Sequence, residues 1–129
     1  MIVLDTHALI WFATARVLLS DAALRAIASA DRIGVSAITP WEIAVKVAKG
    51  KLDLGLPVRE WMTLALTVDR RVELLPLDPE IAIRSAELRR TITADPADCI
   101  IAATALTLAV PLVTKDGRLR TALPSVTIW

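Results

Sequence analysis

Short, mostly uninterrupted apolar runs are spaced along this chain, with longer amphipathic segments between them. Ile2-Val3-Leu4, Ile33-Gly34-Val35, Val72-Glu73-Leu74-Leu75, Leu112-Val113-Thr114 and Val126-Thr127-Ile128 have the length of strands. Most lack the in–out alternation of a half-exposed sheet. A strand that is apolar on both sides must be covered on both faces, which is the condition of a parallel sheet between layers of helices. The intervening segments supply those helices. Around 21–30, Asp21 and Arg25 mark an outer face, with Leu24, Ile27 and Ala28 turned inward. Around 80–90, Glu80, Arg84 and Glu87 form a polar stripe in which Glu80 and Arg84 pair at i,i+4. Segments 40–49 and 57–68 also have helical spacing, and Pro96 to Ala109 is apolar nearly all round, as a central buried helix would be. Strands alternating with helices predict an α/β fold with right-handed crossovers: a three-layer α/β/α sandwich around a mainly parallel sheet of four to five strands. Ligand sites in that architecture collect beyond the carboxyl ends of the strands.

The length, 129 residues, suits a single domain over 1–129. Hydrophobic residues make up 55% of it, above the roughly 45–50% of an ordinary domain, so some apolar surface is expected to serve a partner. A net charge of +1 excludes nucleic-acid binding by bulk basicity and leaves only local patches. The lone Cys99 excludes an internal disulfide and any multi-cysteine metal site, and fits the cytosol. The N-terminal stretch carries Asp5 but no basic residue before Arg16, the wrong charge order for a signal peptide. The longest uncharged stretch, Cys99 to Thr114, contains Pro111 and is shorter than the ~18–20 residues of a membrane span. A cytoplasmic protein without membrane contact is expected.

Four carboxylates stand where such a fold keeps its chemistry. Asp5 directly follows the first strand, and helix capping explains it as well as function does. Glu42 lies in Thr39-Pro40-Trp41-Glu42, which has the form of a capping box with Thr39 at N-cap, proline at N1 and glutamate at N3. It also heads a face shared with Lys46 and Lys49. Asp95 and Asp98 open the buried helix. Asp95 reads as its N-cap, whereas Asp98 is followed one turn on by Ala102 and so has no ion-pair partner on its own helix. Asp116 follows the fourth strand in Thr114-Lys115-Asp116-Gly117, where an Asp-Gly turn competes with a functional role. Capping and turn chemistry account for three of the four singly. Jointly, two follow strands and two open helices, so all can meet at one sheet edge. Packed carboxylates repel unless a cation neutralises them, and hard oxygen donors point to Mg²⁺ or Mn²⁺.

Several stretches also resemble, in order, the PIN-domain ribonucleases, and specifically the VapC-like toxins of type II toxin–antitoxin systems. They are Leu4-Asp5-Thr6-His7-Ala8-Leu9-Ile10-Trp11, Ser36 through Ala44, Gly50-Lys51-Leu52, Asp95-Pro96-Ala97-Asp98 through Ala105, and Val113-Thr114-Lys115-Asp116. The resemblance implies a Mg²⁺/Mn²⁺-dependent endoribonuclease that cuts structured RNA such as tRNA or rRNA. It makes Asp5, Glu42, Asp98 and Asp116 the catalytic acids, with Asp5, Asp98 and Glu42 on the metal and Asp116 acting through water. Thr6 and Thr114 become supporting residues. A VapB-like antitoxin and a homodimer are the implied partners. One departure is visible: relatives commonly carry arginine after the second aspartate, and this chain has Cys99.

Lys46, Lys49, Lys115 and Arg118, with Lys51 and Arg120 nearby, flank two acidic motifs, and beside a metal site they are the expected phosphate-binding cations. His7, the only histidine, reads as a partly packed residue of a first helical turn. Cys99 reads as a small core residue. Trp11, Trp41 and Trp61, with Leu64, Leu66 and Val68, read as core, or as a groove for an antitoxin tail or a dimer. Two other readings stay open: a non-catalytic RNA- or protein-binding module of PIN-like fold, and an aspartate-based phosphatase or phosphotransfer domain. The latter usually needs a second aspartate two residues after the first, where His7 stands.

Overall fold

A computed structural model describes residues 1–129. The first half runs β1 (Ile2–Leu4), α1 (Thr6–Thr14), a 3₁₀ turn (Arg16–Leu18), α2 (Asp21–Ser29), β2 (Ile33–Ser36), α3 (Ile38–Ala48) and α4 (Val58–Thr67). The second runs β3 (Val72–Leu75), α5 (Pro79–Leu88), α6 (Pro96–Leu108), β4 (Leu112–Val113), α7 (Gly117–Ala122) and β5 (Thr127–Ile128). The five strands form one sheet in the order β3-β2-β1-β4-β5, parallel at every pairing. All five apolar runs are therefore strands of an α/β/α sandwich.

Alternation along β1 shows how the layers form. Ile2 and Leu4 join a core with Leu9 and Phe12 of α1 and Ala23 and Ile27 of α2, while Val3 points the other way, onto Ile101, Ala102 and Ala105 of α6. The apolar run is buried on both sides because it has a helix on each. The chain builds outward from β1 through β2 to β3, then returns past β1 to β4 and β5. Right-handed crossovers running in opposite directions place their helices on opposite faces, which is why α5 and α6 lie across the sheet from α1 and α2. No helix is long and apolar enough to cross a membrane.

Three local expectations are corrected. On α2 the buried residues are Ala23 and Ile27, and both Leu24 and Ala28 are exposed. Ala23 and Ile27 lie one turn apart on the face toward the core, so the position after each is turned to solvent. On α5, Arg84 donates to Thr107 Oγ1 of α6 (3.3 Å) and does not pair with Glu80. Thr39 does not cap α3. The helix begins at Ile38, entered through Ala37 in helical conformation (φ −59°, ψ −15°), so Thr39 lies inside it and makes no capping bond. A capping box needs an extended N-cap residue, and the short passage from β2 into α3 leaves none.

Thr39 is fully buried and its hydroxyl has no hydrogen-bond partner. An orphaned buried hydroxyl costs about 1–3 kcal/mol. Thr39→Val keeps the shape and removes the hydroxyl, so it is expected to raise unfolding free energy by about 1 kcal/mol, read from the urea midpoint.

Candidate active site

β1 and β4 are neighbours at the centre of the sheet, and the chain leaves them toward opposite faces, β1 into α1 and β4 into α7, whose Leu119 packs with the α6 side. The crevice between them is the topological switch point of a parallel sheet. It holds a cavity of about 440 Å³ lined by the carboxylates of Asp5, Glu42, Asp95, Asp98 and Asp116. Lys46, Lys115 and Arg118 stand on its walls, as do Thr6, His7 and Trp11. The structure thus gathers all four candidate acids, although they come from β1, α3, α6 and β4.

Asp5 leaves β1 in extended conformation and caps α1, accepting the Ala8 N–H at 2.6 Å. It is 5% exposed. Burial pushes its carboxyl above the ordinary range, against the lowering effect of the Thr114 hydroxyl and the Ala8 N–H. Capping and functional placement therefore coincide in one side chain. Glu42 is also buried, and both its oxygens are engaged: Thr6 Oγ1 donates to Oε2, and Lys46 Nζ lies 2.7 Å from Oε1. On the helical face that Glu42 shares with Lys46 and Lys49, the i,i+4 pair with Lys46 is formed, and it holds the carboxylate in one orientation.

Asp98, in the first turn of α6, has no ion pair and no side-chain hydrogen bond. Burial first, and then the charges of Glu42, Asp116, Asp95 and Asp5, raise its carboxyl to about 6. Asp116 is the opposite case. Burial disfavours its charge, but the N–H groups of Leu119 and Arg118 (both 2.9 Å) and the Arg118 guanidinium (3.3 Å) outweigh that and hold it below the usual range. It caps α7, where the sequence offered an Asp-Gly turn, and still faces the cavity. Thr114 is wholly buried beneath, its Oγ1 accepting the Asp116 N–H at 3.0 Å.

Asp95 is the acid that local reasoning misplaced. It occupies the N-cap position of α6, yet its side chain accepts no helix N–H and instead lines the cavity. Pro96 gives no signal of this, since Asp78 stands before Pro79 in the same context and does cap α5, accepting the Ile81 N–H. Lys49 does not reach the carboxylate cavity; it lines an adjoining one with Lys46 and Lys51. His7 is exposed on the rim rather than partly packed, and its ring meets Trp11 with 5.6 Å between centroids. Cys99 is fully buried and burial pushes its thiol up, so it is the inert core residue expected. Trp61 belongs to the core, whereas Trp41 is 57% exposed.

No three acidic, histidine or cysteine side chains are drawn into a closed ligand set. The donors are nonetheless all carboxylate oxygens, and at two of them, Asp5 and Asp98, burial first and neighbouring acids second disfavour the charge. That suits a small hard cation such as Mg²⁺, which is usually held by one or two carboxylates and retains several waters.

The PIN domain family matches residues 2–122. Ribonuclease VapC22 of Mycobacterium tuberculosis is 34% identical over 130 residues, covering 99% of this chain and 98% of that protein. Among solved structures, VapBC-1 from nontypeable Haemophilus influenzae aligns with a TM-score of 0.68 at 21% identity, over 98% of this chain and 96% of that one. A toxin–antitoxin complex from Klebsiella pneumoniae aligns at 0.67 and 22% identity, over 100% and 97%. These two structures share the fold.

Proposed function

The chain belongs to the PIN domain family, and from that premise we propose that it is a VapC-like toxin, a metal-dependent endoribonuclease that hydrolyses phosphodiester bonds in structured RNA such as tRNA or rRNA. The observation that carries this reading is the cavity at the sheet's switch point, where five carboxylates face three cations. A surface built only to bind RNA has no use for buried acids, because they repel phosphate.

Asp5, Asp98 and Glu42 are the residues that would hold Mg²⁺ or Mn²⁺, and neither Asp5 nor Asp98 is paired with a cation of the protein. When bound, the metal supplies Lewis-acid polarisation of the phosphate and an acidified water. Glu42, fixed by Thr6 and Lys46, would orient the attacking water and accept its proton. Asp116, engaged by its own helix, serves through water, with Thr114 fixing the strand end below it. Lys46, Lys115 and Arg118 neutralise the reacting phosphate, and Lys49 a neighbouring one. The partners that follow are an RNA substrate, a VapB-like antitoxin and a second copy of the chain. A groove of about 470 Å³ between α3 and α4, lined by Pro40, Ala44, Val58, Met62 and Leu66 among others, offers an apolar surface for such contacts.

Incubating the protein with total RNA in Mg²⁺ or in EDTA tests the activity. Cleavage is expected only with the metal, and cleavage that survives EDTA would overturn the mechanism. Lys46→Glu combined with Lys49→Glu is expected to weaken RNA binding about tenfold or more at low salt, and to lower the salt slope by about 0.7 for each phosphate that is no longer neutralised. Unchanged affinity in a low-salt titration would count against the assignment of these two lysines.

A further inference from the structure

The carboxylate cavity does not end at its own walls. It shares Glu42, Lys46 and Asp95 with a second cavity of about 350 Å³, which continues along α3 past Trp41, Lys49 and Lys51. The two form one groove that is continuous at these shared residues, with a tryptophan beside cations in each part. In the first, the partly exposed Trp11 lines the wall with Lys115 Nζ 5.5 Å from its ring centroid, and His7 and Trp129 brace the ring at 5.6 and 5.5 Å. In the second, Trp41 is 57% exposed among three lysines. Acids that share a groove with exposed aromatic and cationic side chains fit a nucleic-acid strand whose bases are unpaired, since bases stack on rings while phosphates meet ammonium groups.

We propose that this groove is a single-stranded RNA track in which one unpaired base stacks on Trp11 and another, on the far side of the reacting phosphate, stacks on Trp41. The tryptophans hold the strand by its bases and leave the backbone between them over the carboxylates. Lys115 is exposed and carries its charge on a four-carbon stem, so an arriving base displaces it from the Trp11 face and frees its ammonium for the reacting phosphate. The inference rests on the ribonuclease reading and adds to it a reason for choosing loops over duplex.

The test compares a fluorescein-labelled twelve-nucleotide oligoadenylate with an abasic ribose-phosphate strand of the same length, by anisotropy in EDTA at low salt. The wild-type protein is expected to prefer the base-bearing strand by about tenfold or more, and Trp41→Ala to cut that preference about fivefold or more. Trp11 also packs on the core, so Trp11→Leu, which keeps most of the bulk, accompanies Trp11→Ala. The leucine variant should reduce the preference to a similar extent and Trp11→Phe should keep most of it. Binding to the abasic strand is the reference for each variant, so a general loss of affinity cancels in the ratio. Equal binding of the two strands by the wild type, or a ratio unmoved by the substitutions, overturns the track; the latter is also what a protein-docking role for Trp41 would give. Cleavage of total RNA in Mg²⁺ is measured in parallel. Cleavage without base preference sinks the track alone, and base preference without cleavage sinks the ribonuclease reading.

Discussion

Asp5→Asn and Asp98→Asn are each expected to slow RNA cleavage on the order of a thousandfold, the scale seen when one preorganised electrostatic group is removed from a reaction centre. Asparagine is the informative replacement because it leaves the local structure in place. At position 5 it can still accept the Ala8 N–H and cap α1, so loss of activity does not reduce to loss of a helix. At position 98 there is no hydrogen bond to remove. Asp116→Asn should be far milder, about tenfold, since that carboxylate is already committed to the N–H groups of Arg118 and Leu119 and to the Arg118 guanidinium. The measurement is the initial rate on one RNA at saturating Mg²⁺, with circular dichroism confirming the fold of each variant. Equal, small effects at positions 5, 98 and 116 would mean that the acids serve the fold and not the chemistry.

That ranking mirrors what was readable from the chain and what was not. The inner strands β1, β2 and β4 were legible because a strand buried on both faces leaves a short apolar run, whereas the edge strands β3 and β5 are only partly buried and admit Glu73 and Thr127. The acids at 5 and 116 were legible as strand-end residues, and both proved to be caps that also face the cavity, so the two readings were never exclusive. The error at Thr39 has a different origin. Thr-Pro-x-Glu satisfies the capping pattern locally, but β2 passes into α3 through Ala37 without an extended residue, and that path is set by packing rather than by the motif. Asp95 was missed for the same reason in reverse, because an ideal capping residue is turned toward distant charges. The tryptophans could not be sorted at all from spacing. Trp61 is buried by α1 and α3, elements distant in sequence, while Trp41 has a similar helical context and stays exposed.

Asp98→Asn should also reverse its effect on stability with metal. The Asp98 carboxyl titrates at about 6 in the folded protein against an ordinary value of 3.8. A raised carboxyl means that the native state binds the proton more tightly than the unfolded chain, so stability is greatest below the unfolded value, falls as pH rises through the window from 3.8 to about 6, and stays reduced above it. A difference of that size corresponds to at most about 3 kcal/mol, and partial solvent access at this helix end brings the expected penalty at pH 8 to about 1–2 kcal/mol. Asparagine carries no such penalty. In EDTA at pH 8 the variant should therefore melt about 3–8 °C above the parent, and the gap should shrink toward pH 4. Saturating Mg²⁺ inverts the order: binding at a hundred times the dissociation constant contributes about 2.7 kcal/mol, which stabilises the parent and not the variant. If Asp98 were only a favourable acid at a helix N-terminus, asparagine would instead cost about 0.3–1 kcal/mol, with or without metal. Differential scanning fluorimetry of the two proteins, each in EDTA and in Mg²⁺, separates these outcomes. A lower melting temperature for Asp98→Asn in EDTA would show that its charge stabilises the fold, and would remove the strain that a bound cation is here proposed to relieve.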